Sequence, residues 1–335
     1  MIRKLAAAAA LSSLAFGAAH AQTTLKSNED TFADAPAGPI DSMVAVDAGD
    51  DQLLYGSLLR PLAGGSYPTV LILPAQGADR NGNAPADGPK SNMYKMLAED
   101  LAAKGVASLR IDKRGVGASK KAISREEDLR FDTYVEDAVT WAKFLRAQPK
   151  VNCMAILGHG EGALVAALAA QKIKVCAVIE ISGAGRPAAA VLAGQLKLAN
   201  ETGGMDKANY DQAVQILNTL SNGKPAGDPP EKLKALFRSS VQPYLISWLD
   251  LNPVDALKNA PPTLILQGTS DRQLDAADAQ KLASGPKFAR VAMIPGADHD
   301  MKLRPDAKKD PDITAPMAPQ VSTTIADFLK RLKWP

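Results

Sequence analysis

The sequence predicts an α/β architecture: a mostly parallel eight-stranded sheet with helices on both faces and one helical insertion. Three observations predict it. Eight short apolar or β-branched runs recur along the chain. From the third onward they alternate with segments of helical period, which implies parallel strands joined by helices. The alternation lapses once, between Arg186 and Ala260, where about 75 residues carry helical patterns and no strand signal.

The N-terminus reads as a signal peptide over residues 1–21. Arg3 and Lys4 form a basic start, residues 5–17 are apolar, and Ala19-His20-Ala21 is a small-x-small cleavage site. The apolar run is shorter than the ~20 residues a membrane span needs. No Cys follows the cleavage point to carry a lipid. The expected location is periplasmic or secreted, with no stable membrane insertion and cleavage after Ala21. Residues 22–40 are a polar, Pro/Ala-rich lead-in, and the main domain is expected over 41–335.

Within that domain, residues 43–46 and 53–59 suggest a β-hairpin at a sheet edge. Residues 69–73 are a continuous apolar run, as in a strand buried on both faces. A helix over 92–104 stops at Gly105, and 106–111 is the next strand. Residues 131–147 form an amphipathic helix with Tyr134, Ala138, Trp141 and Leu145 on one face. A strand at 154–157, a helix at 162–171 and a strand at 175–181 follow. The insertion, at about 186–260, comes after this sixth strand and reads as a helical cap. Strands at 263–266 and 290–294 flank a helix at 276–282, and a helix at 321–332 closes the chain.

Composition narrows the function. The chain has 39 basic and 36 acidic residues; without Arg3 and Lys4 the count is 37 against 36. No basic patch or charge run points to nucleic acid. No metal-ligand cluster and no phosphate-binding glycine motif stands out, so no metal or cofactor is expected. The two cysteines, Cys153 and Cys176, lie near the starts of neighbouring parallel strands. Strands spaced about 4.8 Å apart bring such a pair within disulfide reach. The alternative is two small buried hydrophobes.

The chemistry-bearing pattern starts at Gly158-His159-Gly160-Glu161-Gly162, between a strand and a helix. A G-x-S-x-G elbow in that setting presents a nucleophilic serine on a sharp turn. The flanking glycines meet the need for small residues, and Gly160 stands where the serine would be. Asp271, in Gly268-Thr269-Ser270-Asp271, follows the seventh strand, where a carboxylate would orient an imidazole. His299, in Gly296-Ala297-Asp298-His299, follows the last strand, where the general base belongs. A lone Asp there is most often a helix cap and a lone His a surface residue. The order elbow, Asp, His makes the argument. After residue 21 the only other histidine is His159, expected to point away from the site. The oxyanion hole would use the N–H of Glu161 and one N–H of the loop after residues 69–73, from Ala75 or Gln76. Asp79 and Arg80 would pin that loop by ion pairing.

These motifs resemble the α/β-hydrolases, in their esterase and serine-aminopeptidase-like branch. The likeness is carried by residues 78–83, by Arg110-Ile111-Asp112-Lys113-Arg114-Gly115-Val116-Gly117-Ala118-Ser119, by the elbow, by residues 182–187, by residues 267–273 and by Asp298-His299. It spans roughly residues 50 to 330. The resemblance implies an α/β-hydrolase fold and a Ser–Asp–His triad, of which Asp271 and His299 carry over. Gly160 departs from the pattern, and so does Pro74-Ala75-Gln76-Gly77, where relatives have a glycine-rich loop. Relatives also carry Glu beside the serine, so Glu161 reads as structural. Ser182, one strand over, is a poor substitute nucleophile. Two functions follow as expectations. One is a carboxylic ester hydrolase of weak or unusual activity, in which a water occupies the space of the missing side chain. The other is a non-catalytic pseudo-hydrolase. Either would take a small-molecule ester, acyl or peptide ligand under the cap, where Leu245, Ile246, Trp248 and Leu249 line a pocket or form cap core.

Overall fold

The computed structural model describes residues 40–49, 52–62, 65–84, 90–304, 306 and 310–332. The expected signal peptide, its cleavage point after Ala21 and the lead-in up to residue 39 lie outside the described residues.

Strands β1 (Ile40–Asp47) and β2 (Leu53–Arg60) form the antiparallel edge. They are followed by β3 (Tyr67–Leu73), β4 (Ala107–Ile111), β5 (Val151–His159), β6 (Ala177–Ile181), β7 (Thr263–Gly268) and β8 (Ala289–Ile294). The eight lie in one sheet, order β1-β2-β4-β3-β5-β6-β7-β8, with every pair from β4 to β8 parallel. Helices α1 (Met93–Ala103) and α10 (Pro319–Arg331) cover one face. Helices α2 (Phe131–Arg146), α3 (Glu161–Lys172) and α9 (Ala276–Ala283) cover the other. The period of two along β3 divides the core between the faces. Val70 and Ile72 pack towards α1 and α10, Leu71 and Leu73 towards α2 and α3.

Local chemistry sets several boundaries. Helix α2 has Asp132 in its first turn and Lys143 and Arg146 in its last, matching the helix dipole. Helix α10 opens on Pro319, whose missing N–H costs nothing at that position. Between β6 and β7 the chain forms α4 (Ala188–Glu201), α5 (Lys207–Ser221), α6 (Lys234–Phe237), α7 (Gln242–Trp248) and α8 (Pro253–Ala256). Asp206 caps α5 through the Asn209 N–H at 2.9 Å. This helical layer is tied to the sheet domain by aromatic packing: the Trp248 ring stacks on Phe131 with centres 6.1 Å apart, and Tyr244 packs against both. The guanidinium of Arg238 and the hydroxyl of Ser240 both bind the Glu126 carboxylate.

Cys153, on β5, and Cys176, just before β6, form a disulfide with Cα atoms 5.8 Å apart. It joins the starts of two adjacent parallel strands, the sheet end opposite the elbow. Among the described residues no helix is long and apolar enough to cross a membrane, and no group of three or more His, Cys, Asp or Glu is arranged to hold a metal ion.

Candidate active site

The elbow follows from its glycines. β5 runs to His159, Gly160 turns the chain at φ 55°, ψ −116°, and α3 begins at Glu161. A Cβ on Gly158 would stand 2.0 Å from the carbonyl oxygen of Gly162, and one on Gly162 would stand 2.5 Å from that of Leu73. Neither position has room for a side chain. Gly160 differs: a Cβ there would meet Ala75 Cβ at 3.4 Å and His299 Nε2 at 3.7 Å, ordinary contacts. Its positive φ suits glycine, yet the space accepts a side chain. The Gly160 N–H donates to the Ile181 carbonyl at 3.0 Å, which fastens the turn to β6.

Asp271 and His299 converge on this point. The His299 Nδ1–H donates to Asp271 Oδ2 at 2.9 Å, leaving the Nε2 lone pair towards Gly160. Asp271 is fully buried and held by more than the histidine. Its Oδ1 accepts the Gln273 and Leu274 N–H groups at 2.7 and 3.1 Å, and its Oδ2 accepts from Gln267 Nε2 at 2.9 Å. Burial alone would raise its carboxyl. The hydrogen bond and charge of His299, with the two backbone donors, outweigh burial and hold it below the usual carboxylate range. Burial alone would likewise lower His299, but the Asp271 hydrogen bond and charge outweigh that and raise the imidazole. The preceding Asp298 shapes the loop by accepting the Asp300 and Lys302 N–H groups at 3.0 and 2.9 Å.

His159 corrects an expectation. It does not point away from the site but lies buried beside His299, ring centres 5.1 Å apart. β5 remains extended through His159, and the alternation of the strand turns this side chain towards α1. There Tyr94 Oη–H donates to Nδ1 at 2.8 Å, while His159 Nε2–H donates to the His299 carbonyl at 3.1 Å. Burial, then the neighbouring His299, pushes the His159 imidazole down to about 4. Ser182, at φ 47°, donates its hydroxyl to the same carbonyl at 2.8 Å, so that hydroxyl is committed. Tyr94 and Ser182 escaped the sequence reading as supports. A tyrosine on the buried face of a helix, or a serine after a strand, carries no local signal of the residue it will touch.

The loop after β3 is fixed on both sides. The Ala75 N–H donates to Tyr94 Oη at 2.8 Å and is thereby engaged. The Gln76 N–H has no acceptor among the described residues, and the Glu161 N–H is a first-turn helix amide without an intrahelical acceptor. Arg80 pins the loop as expected, through an ion pair and a 2.7 Å backbone N–H bond to Asp112. Asp79 pins it differently, by accepting the Asn81 and Asn83 N–H groups at 2.8 and 2.9 Å. The Glu161 side chain pairs with Lys113 at 2.7 Å, both buried, which is a structural role.

A cavity of about 390 Å³ opens above these groups. Gln76, Gly160 and His299 line its floor; Leu192, Leu196 and Trp248 line its roof. Of the four apolar residues singled out at 245–249, Leu245 and Trp248 reach the cavity, Leu249 is wholly core and Ile246 packs against the core.

Comparison with known proteins agrees with this fold. The profile of the family described as serine aminopeptidase, S33, matches residues 88–215. Esterase EstD of Thermotoga maritima is 25% identical over 256 residues, covering 74% of this chain; the match spans 58% of that relative's own length. Among solved structures, Est1E of Butyrivibrio proteoclasticus with ferulic acid bound superposes with a TM-score of 0.55 at 16% identity, covering 86% of this chain and 98% of that one. The esterase Pf2001 of Pyrococcus furiosus gives 0.54 at 17% identity, covering 88% and 92%. The sheet order and these likenesses give the chain the α/β-hydrolase fold.

Proposed function

We propose that this protein hydrolyses carboxylic esters slowly, with water in place of a serine nucleophile. The observation that carries the reading is the Asp271–His299 pair, whose free Nε2 stands 3.7 Å from where a residue-160 side chain would begin. His299 Nε2 removes a proton from a water held in that space while the water oxygen attacks the ester carbonyl. The N–H groups of Gln76 and Glu161 receive the developing oxyanion. Gln76 is the loop donor of choice because the Ala75 N–H is engaged by Tyr94. Without an acyl-serine step the rate advantage is modest: a triad lacking its nucleophile retains about 10³–10⁴-fold over water. The ligand is a small apolar ester or acyl compound lying under the helices of about residues 186–260, which act as the cap. The protein acts outside the cytoplasm, a reading supported by the signal-like N-terminus and the Cys153–Cys176 disulfide.

Purified protein assayed on 4-nitrophenyl acetate and butyrate tests this, beside His299→Ala. Turnover should fall in His299→Ala. Wild-type turnover no better than that of the variant would leave a binding protein instead.

A further inference from the structure

A serine-hydrolase site stripped of its nucleophile keeps a base and a pair of amide donors. Those are also what a carbonyl compound needs to lose a proton from the adjacent carbon: a base at carbon and donors at oxygen. The geometry suits this directly. An atom placed as a residue-160 Cβ would lie 3.7 Å from His299 Nε2 and 3.4 Å from Ala75 Cβ, both ordinary contact distances. The vacated space therefore holds one carbon against the base with nothing between them. Asp271 holds Nδ1–H, so the lone pair faces that carbon. Of the charged side chains lining the cavity, Glu161 pairs with Lys113 and Arg186 with Asp278, while the Asp300 carboxylate stands 4.0 Å from the neutral His159 Nε2 and disfavours anionic substrates. The roof is apolar at Leu192, Leu196 and Trp248.

We infer that this site catalyses enolate formation on uncharged, apolar ketones and thioesters, with the substrate's α-carbon in the space of the missing residue-160 side chain. The inference rests on the same assignment of base and oxyanion amides as the hydrolase reading. His299 Nε2 takes the α-proton. The C–H electron pair becomes the carbon–carbon double bond as the carbonyl π pair moves onto oxygen, towards the Gln76 and Glu161 N–H groups. The imidazolium so formed faces the Asp271 carboxylate. The reverse step returns a proton to carbon after exchange with solvent, so no oxidant, reductant or second substrate takes part. Hydrolysis must admit a water between base and carbonyl; proton abstraction needs that space empty of water.

The test is deuterium uptake by 2-tetralone in D₂O, followed by proton NMR. Wild-type protein should exchange the α-protons about 10²-fold faster than His299→Ala, the usual scale of a general base. Asp271→Asn should also exchange more slowly and serves if His299→Ala does not fold. Gly160→Ser should exchange more slowly than wild type, because its Cβ and Oγ fill the space the α-carbon needs. Exchange at the buffer rate, exchange insensitive to both His299→Ala and Asp271→Asn, or undiminished exchange in Gly160→Ser would each overturn the inference. The same preparations are assayed on 4-nitrophenyl butyrate. Ester turnover without exchange sinks enolate formation alone, and exchange without ester turnover sinks the hydrolase reading alone.

Discussion

His159 donates its Nε2–H to the backbone carbonyl of His299 at 3.1 Å, so one imidazole supports the residue that carries the other. The bond fixes the tautomer: with Tyr94 donating to Nδ1, His159 is neutral and protonated on Nε2. Burial lowers His159 to about 4, while the Asp271 partner raises His299 against the effect of its own burial. Imidazole NMR titration should show the two moving apart, His299 above and His159 below the ordinary value of about 6.5. The sign for stability follows. As pH falls from about 6.5 to 4 the unfolded chain takes up a proton at residue 159 that the folded chain refuses, so His159 costs stability across that window. His159→Gln should flatten the acid side of a urea-unfolding profile; an unchanged slope there would contradict the assignment.

Tyr94 links the loop after β3 to the elbow, accepting from the Ala75 N–H and donating to His159 Nδ1. Tyr94→Phe leaves a half-buried donor, the Ala75 N–H, and a buried acceptor, His159 Nδ1, unmet. Chemical denaturation should show a loss of about 1–3 kcal/mol, and ester turnover should fall with it.

Gly160→Ser should fold and gain labelling by a fluorophosphonate, because a Cβ at 160 meets only ordinary contacts and stands 3.7 Å from His299 Nε2. The φ of 55° makes serine less comfortable than glycine, by about 1–3 kcal/mol. Mass spectrometry locates the label. An unlabelled, folded variant would mean that the base and oxyanion groups do not act together.

Glu180 on β6 is buried without a countercharge, and burial pushes its carboxyl up to about 8. Between pH of about 4.5 and 8 the unfolded chain releases this proton and the folded chain keeps it. Stability therefore falls with rising pH, by at most about 1.4 kcal/mol per unit. Glu180→Gln should remove that slope and be the more stable protein at pH 8, as read from urea midpoints at pH 5 and pH 8.

The Cys153–Cys176 disulfide spans a sequence separation of 23 residues. Replacing both cysteines by alanine should cost about 3 kcal/mol on the chain-entropy estimate. The effect on any ester turnover should be small, since the bridge lies at the other end of the strands from Gly160.

Much of the fold was legible because the central strands are buried on both faces and read as unbroken apolar runs. The eight runs correspond to the eight strands, with β5 longer than the expected 154–157 because Val151–Cys153 precede that run and Gly158 and His159 continue it. The helices at 92–104 and 131–147 each end within a residue of α1 and α2. At the site, Gly160, Asp271 and His299 were legible because each follows a strand, and parallel strands deliver their ends to one edge. The supports were not. His159, Tyr94 and Ser182 act through side chains that meet across elements distant in sequence, and which face of β5 carries residue 159 depends on how far that strand stays extended.

The three elbow glycines differ in what they permit. Residues 158 and 162 are locked by backbone atoms, while a side chain at 160 would meet only ordinary contacts, at a strained positive φ. A side chain at 158 or 162 would have to displace backbone, whereas one at 160 would not. The elbow thus keeps shape and side chain apart: its turn is set at 158 and 162, and the group presented to the cavity is set at 160.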